Sequence, residues 1–167
     1  MSLHVLADAW RLERGRVAPE GGGRVTSSEG SAVPSGKEYS AQGITVWWDS
    51  TRCRHFAECR RGHPAVFETG RKPWVRPDLG EPADIAEVIR RCPTGALHYR
   101  LPEGPEEEPA VPTSVRRLSA GPVLLRGDLV IRTFGGPLRD TRAALCGCGK
   151  TENNPFCDGA CGIDHSD

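Results

Sequence analysis

Four of the seven cysteines fall inside sixteen residues, Cys146-Gly-Cys148-Gly-Lys-Thr151-Glu-Asn-Asn-Pro155-Phe-Cys157-Asp158-Gly159-Ala160-Cys161. Thiols crowded this closely, with glycine and proline between them, suit the ligation of a metal or an iron-sulfur cluster. The single residue between Cys146 and Cys148 lets both sulfurs reach one iron. Cys157 and a ligand four positions later can then take a second iron, a 2+2 arrangement. Gly147, Gly149 and Gly159 leave room beside an inorganic core, and Thr151 can bond the loop backbone. Asp158 can cap a following helix whose amides favour an anionic cluster. His165 lies one helical turn past Cys161, so a helix starting near Asp158 would put both on one face, and either could ligate. Zinc is the competing occupant, but zinc sites usually pair cysteines two to four residues apart, and Cys-x-Cys favours the cluster.

The remaining cysteines make a second set, Cys53-Arg54-His55-Phe56-Ala57-Glu58-Cys59 followed by Cys92-Pro93. Cubane clusters are commonly held by Cys-x2-Cys-x2-Cys and a distant Cys-Pro. Here the outer pair keeps that spacing, Phe56 stands at the middle position, and Cys92-Pro93 supplies the distant ligand. A cubane short of one thiolate either loses that iron, giving 3Fe-4S, or stays 4Fe-4S with His55 or water as its fourth ligand. His55 equally suits a hydrogen-bond donor that raises the potential. Burial of Cys92 as an ordinary core residue is the reading without chemistry.

Short elements must deliver these loops. Ile44, Val46 and Trp48 alternate with Thr45 and Trp47, the period of a half-buried strand, and Asp49-Ser50 turns the chain toward Cys53. Pro82 opens a helical pattern in which Ile85, Val88, Ile89 and Cys92 share one face, pointing Cys92 inward. Pro93 and Gly95 stop that helix, and Ala96 to Tyr99 is a short strand able to pair with Ile44 to Trp48. The run from Leu101 to Pro112 is acidic and proline-rich and reads as an extended linker. Beyond it, Val123 to Arg126 and Leu129 to Thr133 read as strands separated by a Gly127-Asp128 turn. Residues 1–38, with scattered Gly, Ser, Arg and Glu, read as a flexible tail. The domains are then 39–100, the linker 101–112, and 113–167, in an α+β fold class.

The first cysteine set, with Trp48-Asp49, Pro64-x-Val66-Phe67, Pro73-Trp74-Val75 and Cys92-Pro93-Thr94-Gly95-Ala96-Leu97, resembles the divergent single-cluster ferredoxin family. That resemblance implies a small ferredoxin-like domain with a 4Fe-4S cluster, or 3Fe-4S, on Cys53, Cys59 and Cys92. The second set resembles the CDGSH iron-sulfur domain on Cys146, Cys148, Thr151, Pro155, Cys157, Asp158, Gly159 and Ala160. It implies a β-rich domain with a 2Fe-2S cluster on Cys146, Cys148, Cys157 and the residue after Ala160. The family has histidine there and this chain has Cys161. An all-thiolate site carries more negative charge, which lowers its potential, and it lacks an imidazole that titrates near neutral pH.

At 167 residues with formal net charge +0, the chain shows no global field that would call for nucleic acid or a membrane, and no apolar run long enough to span one. The N-terminus lacks a signal-peptide pattern, and cysteines grouped with Gly and Pro fit ligands in a reducing cytoplasm better than disulfides. No nucleophile and base stand beside either cysteine set, and His4, His63 and His98 are isolated, so the expectation is a non-enzyme. The reading is an electron carrier with a reductase or oxidase as redox partner, able to form a homodimer through its C-terminal domain. Cluster storage, transfer or redox sensing is the competing function, and a zinc-stapled interaction module a third.

Overall fold

The computed structural model describes residues 34–104, 106–119, 121–160 and 162. Cys161, His165, His4 and most of the N-terminal stretch lie outside them. Strand β1 (Lys37–Ala41) forms a hairpin with β2 (Ile44–Trp48), and β2 pairs antiparallel with β3 (Leu97–Arg100), giving the order β1-β2-β3. The expected partnership of Ile44–Trp48 with the strand after Pro93 is present, with Val46 opposite Tyr99. Pairing begins at Lys37, inside the stretch read as tail, because Tyr39 turns into the core at 7% exposure.

Helix α1 (Glu58–Gly62) carries Cys59, and helix α2 (Pro82–Arg90) starts with proline at its first turn. On α2, Ile85, Ala86, Val88 and Ile89 are buried, and Cys92 packs against the same core. Burying Ile85 and Ile89 completely contributes about 1.5–3 kcal/mol each relative to exposure. This apolar face holds α2 on the sheet and aims the chain that follows it at the cysteine loop.

The second sheet is an antiparallel meander of β4 (Ser114–Arg117), β5 (Val123–Thr133) and β6 (Gly136–Leu145). The Gly127-Asp128 turn is not a turn. β5 runs straight through it, with an irregularity between Arg126 and Leu129 where one extra residue is absorbed against β6. The long partner strand β6, which carries no conspicuous strand signal, turns a turn-forming dipeptide into a bulge. The described residues are mostly small sheets with few helices, and none of those helices is long and apolar enough to cross a membrane.

A buried charge network joins the two sheets. Arg52, in the first cysteine loop, donates from Nη2 to Asp140 Oδ2 at 2.7 Å and to the carbonyls of Thr94 and Arg142, each at 3.1 Å. Asp140 and Arg142 both lie on β6. The Arg142 guanidinium donates to the carbonyls of Ile89, Cys92 (3.1 Å) and Leu97 (3.0 Å), closing the open end of α2, and to Glu107 Oε2 at 2.8 Å. Glu107 belongs to the acidic linker, so that run is docked and not only a spacer. Gly95 completes the fit, since a Cβ there would stand 2.3 Å from the Arg142 carbonyl.

Burial alone would raise the Asp140 pKa, but the hydrogen bond and charge of His98, followed by those of Arg52, hold it well below the usual carboxylate range. A depressed folded-state pKa contributes stability that is present above the unfolded value, near 4, and lost as the pH falls further. Asp140→Asn is expected to cost about 3–5 kcal/mol in denaturant unfolding at neutral pH, because it leaves Arg52 buried without its counter-charge. The variant should also lose less stability than the parent between about pH 4 and pH 2.

Candidate metal centres

The first cysteine loop leaves β2, and Asp49 bonds Thr51 through both backbone and hydroxyl to turn the chain. His55 and Ala57 then take left-handed backbone conformations, with φ of 55° and 63°. These are costly for residues with a Cβ and hold the loop curled between Cys53 and Cys59. Cys53, Cys59 and Cys92 come together on the wall of one cavity of about 620 Å³, with His55, Phe56 and Trp48 beside them. All three sulfurs belong to half-buried residues, whereas His55 is exposed.

The Cys59 thiol responds to burial and to the two thiols beside it. Burial pushes the Cys59 thiol up, and the neighbouring Cys92 and Cys53 push it further, to about 11. A positive core bound at Cys59 would offset that effect. Trp48 lines the same cavity, and its buried Nε1 finds no hydrogen-bond partner among the described residues. An orphaned indole N–H beside three thiols suits an acceptor such as an inorganic sulfide or a ligating thiolate. Among the described residues no three Cys, His, Asp or Glu side chains close on a single metal ion, whereas Cys53, Cys59 and Cys92 on the wall of one cavity would fit the larger core of a cluster.

The C-terminal set hangs from the end of β6. Cys146 Sγ lies 3.7 Å from Cys148 Sγ and accepts the Gly149 amide at 3.2 Å. Burial would raise the Cys146 pKa, but hydrogen bonds from Thr151, Cys148 and Gly149 outweigh it and lower the value, favouring a thiolate. Cys157 is buried, its amide bonded to Ala144 O at 2.9 Å, while Cys148 is exposed. Gly147 sits where a Cβ would meet Gly121 O at 2.5 Å. Cys146, Cys148 and Cys157 are thus presented by one loop, and the fourth position, Cys161 or His165, lies outside the described residues.

Thr151 and Asp158 shape that loop. Thr151 Oγ1 donates to Phe156 O at 2.6 Å and accepts the Asn153 amide at 3.0 Å. Asp158 accepts the amides of Glu152 and Ala160 at 2.8 and 2.9 Å. No helix begins at Asp158 within residues 158–160, so its carboxylate closes a turn across the loop where a helix cap was expected.

The two cysteine sites share a wall, which the spacing did not reveal. Phe56 lines the first cavity and packs against the Leu124, Ala144 and Cys157 cluster of the second module. Arg54 lines the same cavity and donates to Asp158 O, beside Cys157, and to Thr51 O at 2.6 Å. Asn153 Nδ2 donates to Thr51 O at 3.2 Å, and the Arg52 guanidinium lies 4.6 Å from the Phe156 ring centroid. Arg52, Arg54, Asp140 and Arg142 escaped the sequence reading, because each has a partner 50 or more positions away along the chain. Thr151→Val is expected to cost about 1–3 kcal/mol by stranding Phe156 O and the Asn153 amide. It should release iron from the C-terminal loop faster than from the first cavity in a chelator assay with iron-loaded protein.

Two families match the chain, in the order of the two cysteine sets. A family described as "Divergent 4Fe-4S mono-cluster" matches residues 39–102, and one described as "Iron-binding zinc finger CDGSH type" matches residues 120–160. Proteins of Escherichia coli strain K12 and of Escherichia coli O157:H7, both named "Uncharacterized protein YjdI", are each 40% identical over 62 residues, 37% of this chain and 82% of theirs. No solved structure matches the chain. The chain belongs to the divergent 4Fe-4S mono-cluster family, carries a CDGSH-type iron-binding domain behind it, and is an iron-sulfur protein.

Proposed function

We propose that the protein is a one-electron carrier with two iron-sulfur clusters. A cubane-type cluster, 4Fe-4S or 3Fe-4S, would sit on Cys53, Cys59 and Cys92 in a ferredoxin-like domain. A 2Fe-2S cluster would sit on Cys146, Cys148 and Cys157, with Cys161 or His165 as fourth ligand. When bound, such clusters supply reversible one-electron chemistry with potentials set by ligand charge, hydrogen bonds and solvent exposure. The observation that carries the reading is the shared wall, because Phe56 lines the first cavity and packs on the cluster that contains Cys157 of the second site, which supports a short path between two clusters.

The chain's own groups have distinct parts in this reading. Trp48 Nε1, buried without a partner among the described residues, would donate toward the first cluster, and the Gly149 amide donates to Cys146 at the second site. Arg142 fixes the Cys92 carbonyl, so that thiol is positioned from the other module. No substrate turnover belongs to this reading, and the partner is a reductase or oxidase in the cytoplasm. Exposure of Cys148 favours a second reading, cluster transfer, in which an acceptor reaches the C-terminal loop directly.

Anaerobically purified protein is expected to contain iron and acid-labile sulfide with little zinc, and to give two reversible one-electron waves in a redox titration. Cys53→Ser should remove one wave and leave the other. Absence of any reversible reduction would contradict the carrier, and loss of the C-terminal cluster to an apo-ferredoxin within minutes would favour transfer. With Cys161 as ligand, the 2Fe-2S potential should be nearly flat between about pH 6 and 8. A slope approaching about 59 mV per pH unit would assign the ligand to His165.

A further inference from the structure

The rim of the first cavity is strongly cationic although the whole chain is neutral. Lys37, Arg54, Arg60, Arg71 and Lys72 line it, against the single carboxylate of Glu58. Glu58 is already spent on Arg61 and Arg71 is paired with Glu68 at 3.1 Å. Arg54 gives its bonds to carbonyl oxygens, which leave its charge unneutralised. Lys37, Arg60 and Lys72 are exposed and form no ion pair among the described residues. Lys37 sits 5.3 Å over the Tyr39 ring, which steadies it at the mouth.

Arg54 and Arg71 are half-buried in the wall, whereas Lys37, Arg60 and Lys72 face solvent at the mouth. They stand on three different segments, β1, α1 and the loop before Trp74, and so ring the opening from separate sides. We infer that this rim is the docking surface for the redox partner, and that the partner presents an acidic patch around its own electron-exchange site. The inference rests on the electron-carrier reading and names the chemistry of its partner. Complementary charge would steer the encounter and orient the first cluster toward the partner, raising the association rate more than the final affinity.

Two small oxidants of opposite charge test the rim without a known partner. Stopped-flow mixing transfers one electron from the reduced protein either to the Fe(III)-EDTA anion, giving Fe(II)-EDTA, or to hexaammineruthenium(III), giving the ruthenium(II) cation. The Debye length falls from about 30 Å at 0.01 M salt to about 8 Å at 0.15 M, so salt should slow the anionic oxidant by about fivefold or more across that range. The cationic oxidant should not slow. The double variant Arg60→Glu with Lys72→Glu should cancel the salt effect on the anion, and Arg60→Gln with Lys72→Gln should fall between. Poly-glutamate should protect the reduced protein from the anionic oxidant, and a single-stranded oligonucleotide of equal charge should not.

Equal salt dependence for both oxidants, or an unchanged rate in the charge-reversed variant, would overturn the docking surface. Protection by the oligonucleotide as strong as that by poly-glutamate would overturn the acidic protein as its occupant. A protein that passes no electron to either oxidant would contradict the carrier reading itself, an outcome distinct from the first two.

Discussion

Everything in the described structure depends on one buried ionic contact, Arg52 with Asp140, and on the arginine two residues further along β6. Arg52 belongs to the loop that delivers Cys53, and Asp140 to the strand that ends at the C-terminal cysteines. Both side chains are almost wholly buried, at 6% and 2% exposure. Such a pair adds little net stability over an apolar contact, because desolvation offsets the attraction. What it contributes is uniqueness. Asp140 also accepts the amides of Thr141 and Arg142, so the carboxylate is satisfied in one arrangement of loop and strand.

That arrangement makes two small cores behave as one unit. Neither sheet is large, and three-stranded antiparallel sheets need cover on a face to persist. The first is covered by α2 and the second in part by its own cysteine loop, where Phe156 and Cys157 enter the core clusters. Phe56 and Arg142 cross between the units in opposite directions, one apolar and one charged. Each therefore ties the position of a cysteine in one module to the packing of the other, and a loaded cluster would strengthen both cores by joining their loops.

Local chemistry was legible in the sequence, as was the pairing of Ile44–Trp48 with the strand after Pro93, but the contacts between the two modules were not. The strand at Ile44–Trp48, the inward face of α2 and the two cysteine loops each announce themselves through a period or a spacing a few residues long. The bulge at Arg126 to Leu129 depends on β6, ten residues with weak strand character, so a Gly-Asp pair reads as a turn until its partner is known. Buried arginines hide for the same reason. Arg52 sits among polar neighbours and looks like surface, and only its partner 88 positions away explains its burial. The shared wall follows from that pairing, so no motif could have shown it.

The cysteine sites are neighbours across Phe56 and Arg54, and in the proposed function they work as one electron-transfer unit. Electron paramagnetic resonance of the fully reduced holoprotein tests this most directly, since two paramagnetic clusters close together split and relax each other's signals. The account predicts an interaction spectrum in the doubly reduced state that disappears when Cys53→Ser removes one cluster. A doubly reduced spectrum equal to the sum of two independent signals would contradict it.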